Sequence, residues 1–265
     1  MTTLPATTEK RLGLVIDLDT CVGCQACATS CKEWNALGES GPLTDTDPQG
    51  AHATGPWFNR IHGYEVKQEG RSDSRIVNFP RSCLHCAEPA CVTVCPTGAS
   101  YKRAEDGIVL VNPETCIGCK LCSWACPYGA REYDYTQGTM KKCTLCVDRI
   151  YNDNLVEEDR VPACVRACPT GARHFGDLGD ENSAVSKLVQ ERGGFDLFPE
   201  MGYRPTNKYL PPRARRESSV DGVVALPKGD GSVMEKLFLW ADRLLSTSTV
   251  SASANPQDYS DRLEG

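Results

Sequence analysis

The sequence predicts an α+β protein of two small halves, with a long loop insertion and an extended C-terminal tail carrying short helices. Three observations predict it. All sixteen cysteines fall into four groups of four, with none left over. Stretches this dense in cysteine leave room only for short helices and strands. Three of the groups also close on a shared phrase, CPTGA at Cys95 and Cys168 and CPYGA at Cys126, which marks an internal repeat rather than a scatter.

Taken in order, Leu12, Leu14, Ile16 and Leu18 alternate as in a strand leading into the first group. That group is Cys21, Cys24, Cys27 and Cys31 (CVGCQACATSC), and it ends in CKEWN without the proline. Residues 32–82 form an insertion rich in Gly, Pro and Asp. Its first half reads as irregular loop, and residues 64–67 with 74–79 as a strand pair. The second group is Cys83, Cys86, Cys91 and Cys95 (CLHCAEPACVTVCP). An Asp106-Gly107 turn followed by a brief strand over 108–111 predicts a small hairpin feeding the third group, Cys116, Cys119, Cys122 and Cys126 (CIGCKLCSWACP). In the fourth group, Cys143, Cys146, Cys164 and Cys168, CTLC stands 17 residues before CVRACP. Beyond it, residues 182–192 read as a short helix ended by Gly193-Gly194, and 199–212 as an extended, proline-bearing stretch. Residues 233–245 read as an amphipathic helix with Val233, Leu237, Trp240, Ala241 and Leu244 on one stripe. That stripe is expected to dock on a partner subunit, the alternative being packing on its own chain.

With 265 residues, 40% hydrophobic and 24% charged, and a mean hydropathy of -0.38, the chain reads as an ordinary folded protein rather than a disordered or membrane-spanning one. A net charge of -6 argues against general nucleic-acid binding. A disulfide scaffold is normally shorter and carries a signal peptide. Here the apolar run over 12–16 stops at Asp17 and makes no signal h-region, so the thiols are expected to be reduced and available as metal ligands.

CxxCxxCxxxCP is the cysteine run of bacterial ferredoxins, in which three thiolates of one group and the fourth of a distant group bind each 4Fe-4S cube. Cubes therefore come in pairs, and four groups predict two ferredoxin-like halves carrying four 4Fe-4S clusters. Zinc is the competing ligand for CxxC pairs. Nothing in tetrahedral thiolate binding calls for a third cysteine two residues on and a fourth followed by proline. His85, inside CLHC, is expected to hydrogen-bond near a cluster sulfur rather than ligate iron. His52, His62 and His174 show no ligand spacing, and Trp34 and Trp124 are expected to shield a cube from water. No GxSxG, P-loop or well-placed GxGxxG appears, so no catalytic residue is expected in this chain.

The four groups and their gaps, over residues 12 to about 212, resemble the four-cluster iron-sulfur subunits of the molybdopterin oxidoreductases, which include dimethyl sulfoxide, polysulfide, formate and nitrate enzymes. LGLVIDLDTCVGCQACATSCKEWN, GPWFNRIHGYEV and YLPPR most resemble the branch serving membrane-bound sulfite dehydrogenases. The resemblance implies a nested pairing. Cys21, Cys24 and Cys27 with Cys168 would hold one cluster, and Cys143, Cys146 and Cys164 with Cys31 its neighbour, in a half built from residues 12–31 and 143–180. Cys83, Cys86 and Cys91 with Cys126 would hold another, and Cys116, Cys119 and Cys122 with Cys95 the last, in a half spanning 83–142. Nitrate reductase relatives carry tryptophan at the position of Cys119 and lose an iron there, so Cys119 implies four complete cubes. Residues 181–265 would be an extension for partner docking.

Such subunits resemble wires between a molybdopterin-containing catalytic subunit and an integral membrane quinone-binding subunit. The resemblance implies electron transfer, with sulfite oxidised to sulfate by the catalytic partner. Dimethyl sulfoxide or polysulfide reductase, formate dehydrogenase, hydrogenase or a free polyferredoxin are the alternatives. It also implies a peripheral position on the cytoplasmic side of the inner membrane, the alternative being the periplasm by export with a signal-bearing partner.

Overall fold

Dense cysteine groups interrupt the chain every few dozen residues, and the elements between them are accordingly short. The computed structural model describes residues 3–35, 56–67 and 74–213. Strand β1 (Leu12–Asp17) and helix α1 (Ala26–Asn35) come first, followed by strands β2 (Asn59–Lys67) and β3 (Ser74–Ser82). Helix α2 (Ala90–Thr93), strands β4 (Ser100–Lys102) and β5 (Val109–Val111), and helix α3 (Leu121–Trp124) carry the second and third cysteine groups. Strands β6 (Glu132–Asp134) and β7 (Thr139–Lys141) lead to helices α4 (Val147–Ile150) and α5 (Ala163–Arg166). Strand β8 (Arg173–Asp177), helix α6 (Ala184–Arg192) and strand β9 (Lys208–Leu210) complete the described chain.

The expected first strand is present, but its environment differs from simple alternation. Leu14, Val15 and Ile16 are all fully buried, because β1 is the centre of a three-stranded sheet, antiparallel to β8 and parallel to β9. Leu14 and Ile16 enter the main core with Leu18, Leu84 and Tyr209. Val15 faces the other way, against Val185 of α6 and Leu210 of β9. A strand covered on both faces reads as a continuous apolar run, and LGLVI is one.

The parallel partner β9 comes from the proline-bearing stretch expected to be merely extended, so residue 181 marks no structural break. The described residues form one compact unit. Helix α6 closes that unit: the Ser183 side chain accepts the Ser186 N–H at its N-terminus, and Gly193 ends it at φ +61°.

The strand pair expected in the insertion is longer than the sequence suggested. It runs as an antiparallel hairpin from Asn59 opposite Ser82 to Lys67 opposite Ser74. Its base, Asn59, Arg60, Ile61 and Ser82, is buried, while Tyr64 and Ile76 near its tip are exposed. The expected hairpin before the third group is β4–β5, with Gly107 at φ +72° and the buried Asp106 carboxylate accepting the Ile108 N–H. A second such hairpin, β6–β7, follows the third group. The loop expected over the first half of the insertion and the helix expected over 233–245 lie outside the described residues, as does His52.

Candidate metal centres

Each cysteine group opens with a loop that turns back over its own sulfurs. The residue before the second cysteine lies at positive φ in all four: Gly23 at +72°, His85 at +46°, Gly118 at +65° and Leu145 at +56°. Such a turn costs a non-glycine residue roughly 1 kcal/mol and points successive N–H groups into a concavity that favours an anion. The closing phrases repeat a second device. Ser100 N–H donates to Cys95 Sγ and Ala172 N–H to Cys168 Sγ, each at 3.3 Å. Thr97 and Thr170 hydroxyls lie 3.7 Å from the same two sulfurs. Burial pushes these two thiols up, but the hydrogen bonds together outweigh it and hold both below the usual value.

The groups do not keep to themselves. Cys21, Cys24, Cys27 and Cys168 line one pocket. Cys95, Cys116, Cys119 and Cys122 line another. Burial pushes the Cys31 thiol well up, and the Cys143, Cys164 and Cys146 sulfurs around it push the same way. Burial likewise raises Cys86, helped by Cys83, Cys91 and Cys126. The structure thus brings together four quartets, each with three cysteines of one group and the last of another. Neighbouring quartets also approach one another: Cys27 acts on Cys164, whose thiol burial pushes to about 11, and Cys83 packs with Cys31 and Cys143. Cys24 and Cys119 are exposed, whereas Cys31, Cys143, Cys146 and Cys164 are all buried.

The asparagines and arginines that line the sulfurs were not foreseen. Asn59 Nδ2 donates to Cys27 Sγ at 3.2 Å, and Asn35 Nδ2 to Cys146 Sγ at 3.4 Å. Arg131 and Arg173, 1% and 4% exposed, reach Cys91 Sγ at 3.0 Å and Cys164 Sγ at 3.6 Å. The signal for the arginines was in the text: GAR follows the fourth cysteine in the third and fourth groups, GAS in the second. His85 is fully buried. Val109 N–H donates to its Nδ1 at 3.1 Å, which places the proton on Nε2, a donor with no partner among the described residues. Burial, with Lys142, Lys102 and Arg131 close by, holds this imidazole neutral, well below the usual histidine value.

The expectation for the two tryptophans is corrected. Trp124 is 88% exposed and shields nothing. The Trp34 indole donates to Asp148 and lies against the Arg149 guanidinium at the surface. His62 packs beside Tyr64 on the hairpin, and His174 lies in β8 opposite Val15.

The donor set fits iron-sulfur cubes. Among the described residues no three His, Cys, Asp or Glu side chains converge as a single ion requires. Arg131 Nε and Nη1 and Arg173 Nε are buried with no acceptor among the described residues. Buried guanidinium groups need an anionic partner, and a cube with its four thiolates supplies the acceptor that the protein itself lacks.

Comparison with known proteins agrees. A family described as a 4Fe-4S dicluster domain matches residues 74–178, and one described as a 4Fe-4S binding domain matches 18–34. The chain is similar to the sulfite dehydrogenase B subunit of Allochromatium vinosum, 58% identical over 206 residues, which cover 78% of this chain and 85% of that one. It is similar to the tetrathionate reductase B subunit of Salmonella typhimurium, 39% identical over 202 residues (76% and 72%). The B polypeptide of the anaerobic dimethyl sulfoxide reductase of Escherichia coli is 33% identical over 225 residues (82% and 97%).

Proposed function

Since this protein belongs to the family of iron-sulfur electron-transfer subunits with four 4Fe-4S clusters, we propose that its quartets form a line. The order is Cys21/Cys24/Cys27/Cys168, then Cys143/Cys146/Cys164/Cys31, then Cys83/Cys86/Cys91/Cys126, then Cys116/Cys119/Cys122/Cys95. The observation that carries this order is the run of neighbours from Cys27 to Cys164 and from Cys143 to Cys83, with one exposed cysteine in each end quartet and none in the two between. When bound, the cubes supply sites that accept and release one electron each. The protein's part is to hold the quartets at fixed separation, exclude water from the inner two, and leave the outer two near the surface where partners dock.

In this reading the chain passes electrons from a molybdopterin catalytic subunit that oxidises sulfite to sulfate to a quinone-binding membrane subunit, with the third-group quartet at the quinone end. The 58% identity to the B subunit of a sulfite dehydrogenase supports sulfite over the substrates of the more distant relatives. No helix among the described residues is long and apolar enough to cross a membrane. Attachment through the membrane partner, on the cytoplasmic face, accords with that.

The complex purified from native membranes should reduce quinone with sulfite. Cys119→Ser should slow quinone reduction while sulfite oxidation with an artificial acceptor survives. Turnover of dimethyl sulfoxide, polysulfide or formate with sulfite left untouched would overturn the substrate. Cys119→Ser sparing quinone reduction would overturn the direction of the line.

A further inference from the structure

The two buried arginines occupy equivalent places. Arg131 stands five residues after Cys126 and Arg173 five residues after Cys168. Each lies where the sulfurs of two quartets meet. Arg131 Nη2 donates to Cys91 Sγ at 3.0 Å, and Cys122 of the adjoining quartet is among the sulfurs acting on the guanidinium. Arg173 Nη1 donates to Cys164 Sγ at 3.6 Å, with Cys27 of the adjoining quartet in the same relation.

Each guanidinium is also aimed by one polar side chain. Arg131 Nη2 donates to Ser100 Oγ at 2.7 Å, and Ser100 itself stands five residues after Cys95, in the matching phrase of the adjoining quartet. Arg173 Nη2 donates to Asn59 Oδ1 at 2.6 Å, while Asn59 Nδ2 donates to Cys27 Sγ. Among the described residues neither arginine has a carboxylate hydrogen-bond partner, although other arginines do, Arg60 with Glu132 and Arg192 with Asp17 among them. The N–H groups left over, Nε and Nη1 of Arg131 and Nε of Arg173, are buried and without an acceptor among the described residues.

We infer that Arg131 and Arg173 are matched counter-charges, each laid between two cubes, donating toward sulfur on both sides and raising the reduction potentials of that pair together. This rests on the quartets proposed above. A reduced cube carries one more negative charge than an oxidised one, so a fixed cation beside it favours the reduced form. One cation shared by two cubes also keeps their potentials close, which lets an electron pass between them with little free-energy change. The arginine neither gains nor loses an electron. Ser100 and Asn59 act through it, as positioning residues.

The experiment is a redox titration followed by electron paramagnetic resonance on the whole complex, with iron content measured in parallel. Arg131→Gln keeps a polar, hydrogen-bonding side chain on a shorter stem and removes the charge. It should lower the potentials of the Cys83/Cys86/Cys91/Cys126 and Cys116/Cys119/Cys122/Cys95 clusters by at least about tenfold in reduced-to-oxidised ratio at a fixed poise, about 59 mV for one electron. The other two should not move. Arg173→Gln should do the reverse, and Arg131→Lys should restore most of the shift by restoring the charge. Cys91→Ser and Cys126→Ser serve as the reference pair. If they perturb different signals, the quartets themselves are wrong. If they perturb one common signal while Arg131→Gln leaves all potentials in place, or moves all four alike, the quartets stand and the counter-charge role is overturned. If Arg131→Gln and Arg131→Lys both shed iron and the surviving clusters keep their potentials, the arginine is a packing element only.

Discussion

A methyl group at Gly118 would stand 2.4 Å from the Gly138 carbonyl oxygen, whereas at Gly23 it would meet only the Asn78 side-chain amide, at 2.6 Å. Both glycines take a left-handed turn that costs other residues roughly 1 kcal/mol, yet only at Gly118 is the obstacle backbone. Gly118→Ala should therefore lower iron content and denaturation midpoint more than Gly23→Ala, measured on the two variants side by side. Equal losses would show that turn strain alone matters. Two histidines set a second expectation. Burial holds His85 well below, and His174 below, the usual value of 6.5. Unfolded, both would take up protons that the native chain refuses. Their contribution to stability is therefore complete above about pH 6.5 and is lost as pH falls below it. Denaturation midpoints should fall between pH 7 and 5.5, and His174→Gln should flatten part of that slope; midpoints that rise on acidification would refute the sign.

A buried ion pair anchors the β2–β3 hairpin beside the candidate metal centres. Arg60 on β2 meets Glu132 on β6 at 3.1 Å, with both side chains almost wholly covered, and Glu132 also accepts the Trp57 N–H at 2.7 Å. Burial still raises the Glu132 carboxyl, with Arg60 and Lys32 opposing. The pair thus aligns the hairpin, and with it Asn59, at a cost in desolvation. Glu132→Ala should destabilise by about 3–5 kcal/mol because it strands the arginine, and replacing both partners by apolar residues should cost much less. Urea denaturation of the single and double variants checks this. Helix α6 depends on a smaller contact: losing the Ser183 cap in Ser183→Ala should cost about 1 kcal/mol, seen as a modest shift in the same assay.

Taken whole, the described chain builds its candidate metal ligands into two of its apolar clusters. Cys27 and Cys164 sit in the main apolar cluster, and Cys31, Cys83 and Cys143 with Phe58 make up another. Arg131 and Arg173 are buried among these sulfurs. Removing iron leaves their charges without partners, so cluster binding is folding energy in this protein. Anaerobic chelation should abolish the cooperative thermal transition followed by circular dichroism. A chelated sample that melts as sharply and at the same temperature as the loaded one would contradict this.

The metal chemistry was legible from local spacing alone, because a cube needs three thiolates a few residues apart and a turn between them, and both are written within a dozen residues. The same holds for the Asp106-Gly107 hairpin, for helix α6 between Ser183 and Gly193, and for the repeat that announced four groups. What could not be read were contacts between residues far apart in sequence. Val15 is buried because α6 and β9 cover the second face of β1, and β9 is a strand because β1 offers it a free edge. Arg173 finds Asn59 across 114 positions, and Arg131 finds Cys91 across 40. GAR is visible as text, but an arginine after a turn is most often a solvated one. Its role depends on which sulfurs the fold brings round it, since the field at a charge is the sum over everything packed against it rather than over its neighbours in the chain.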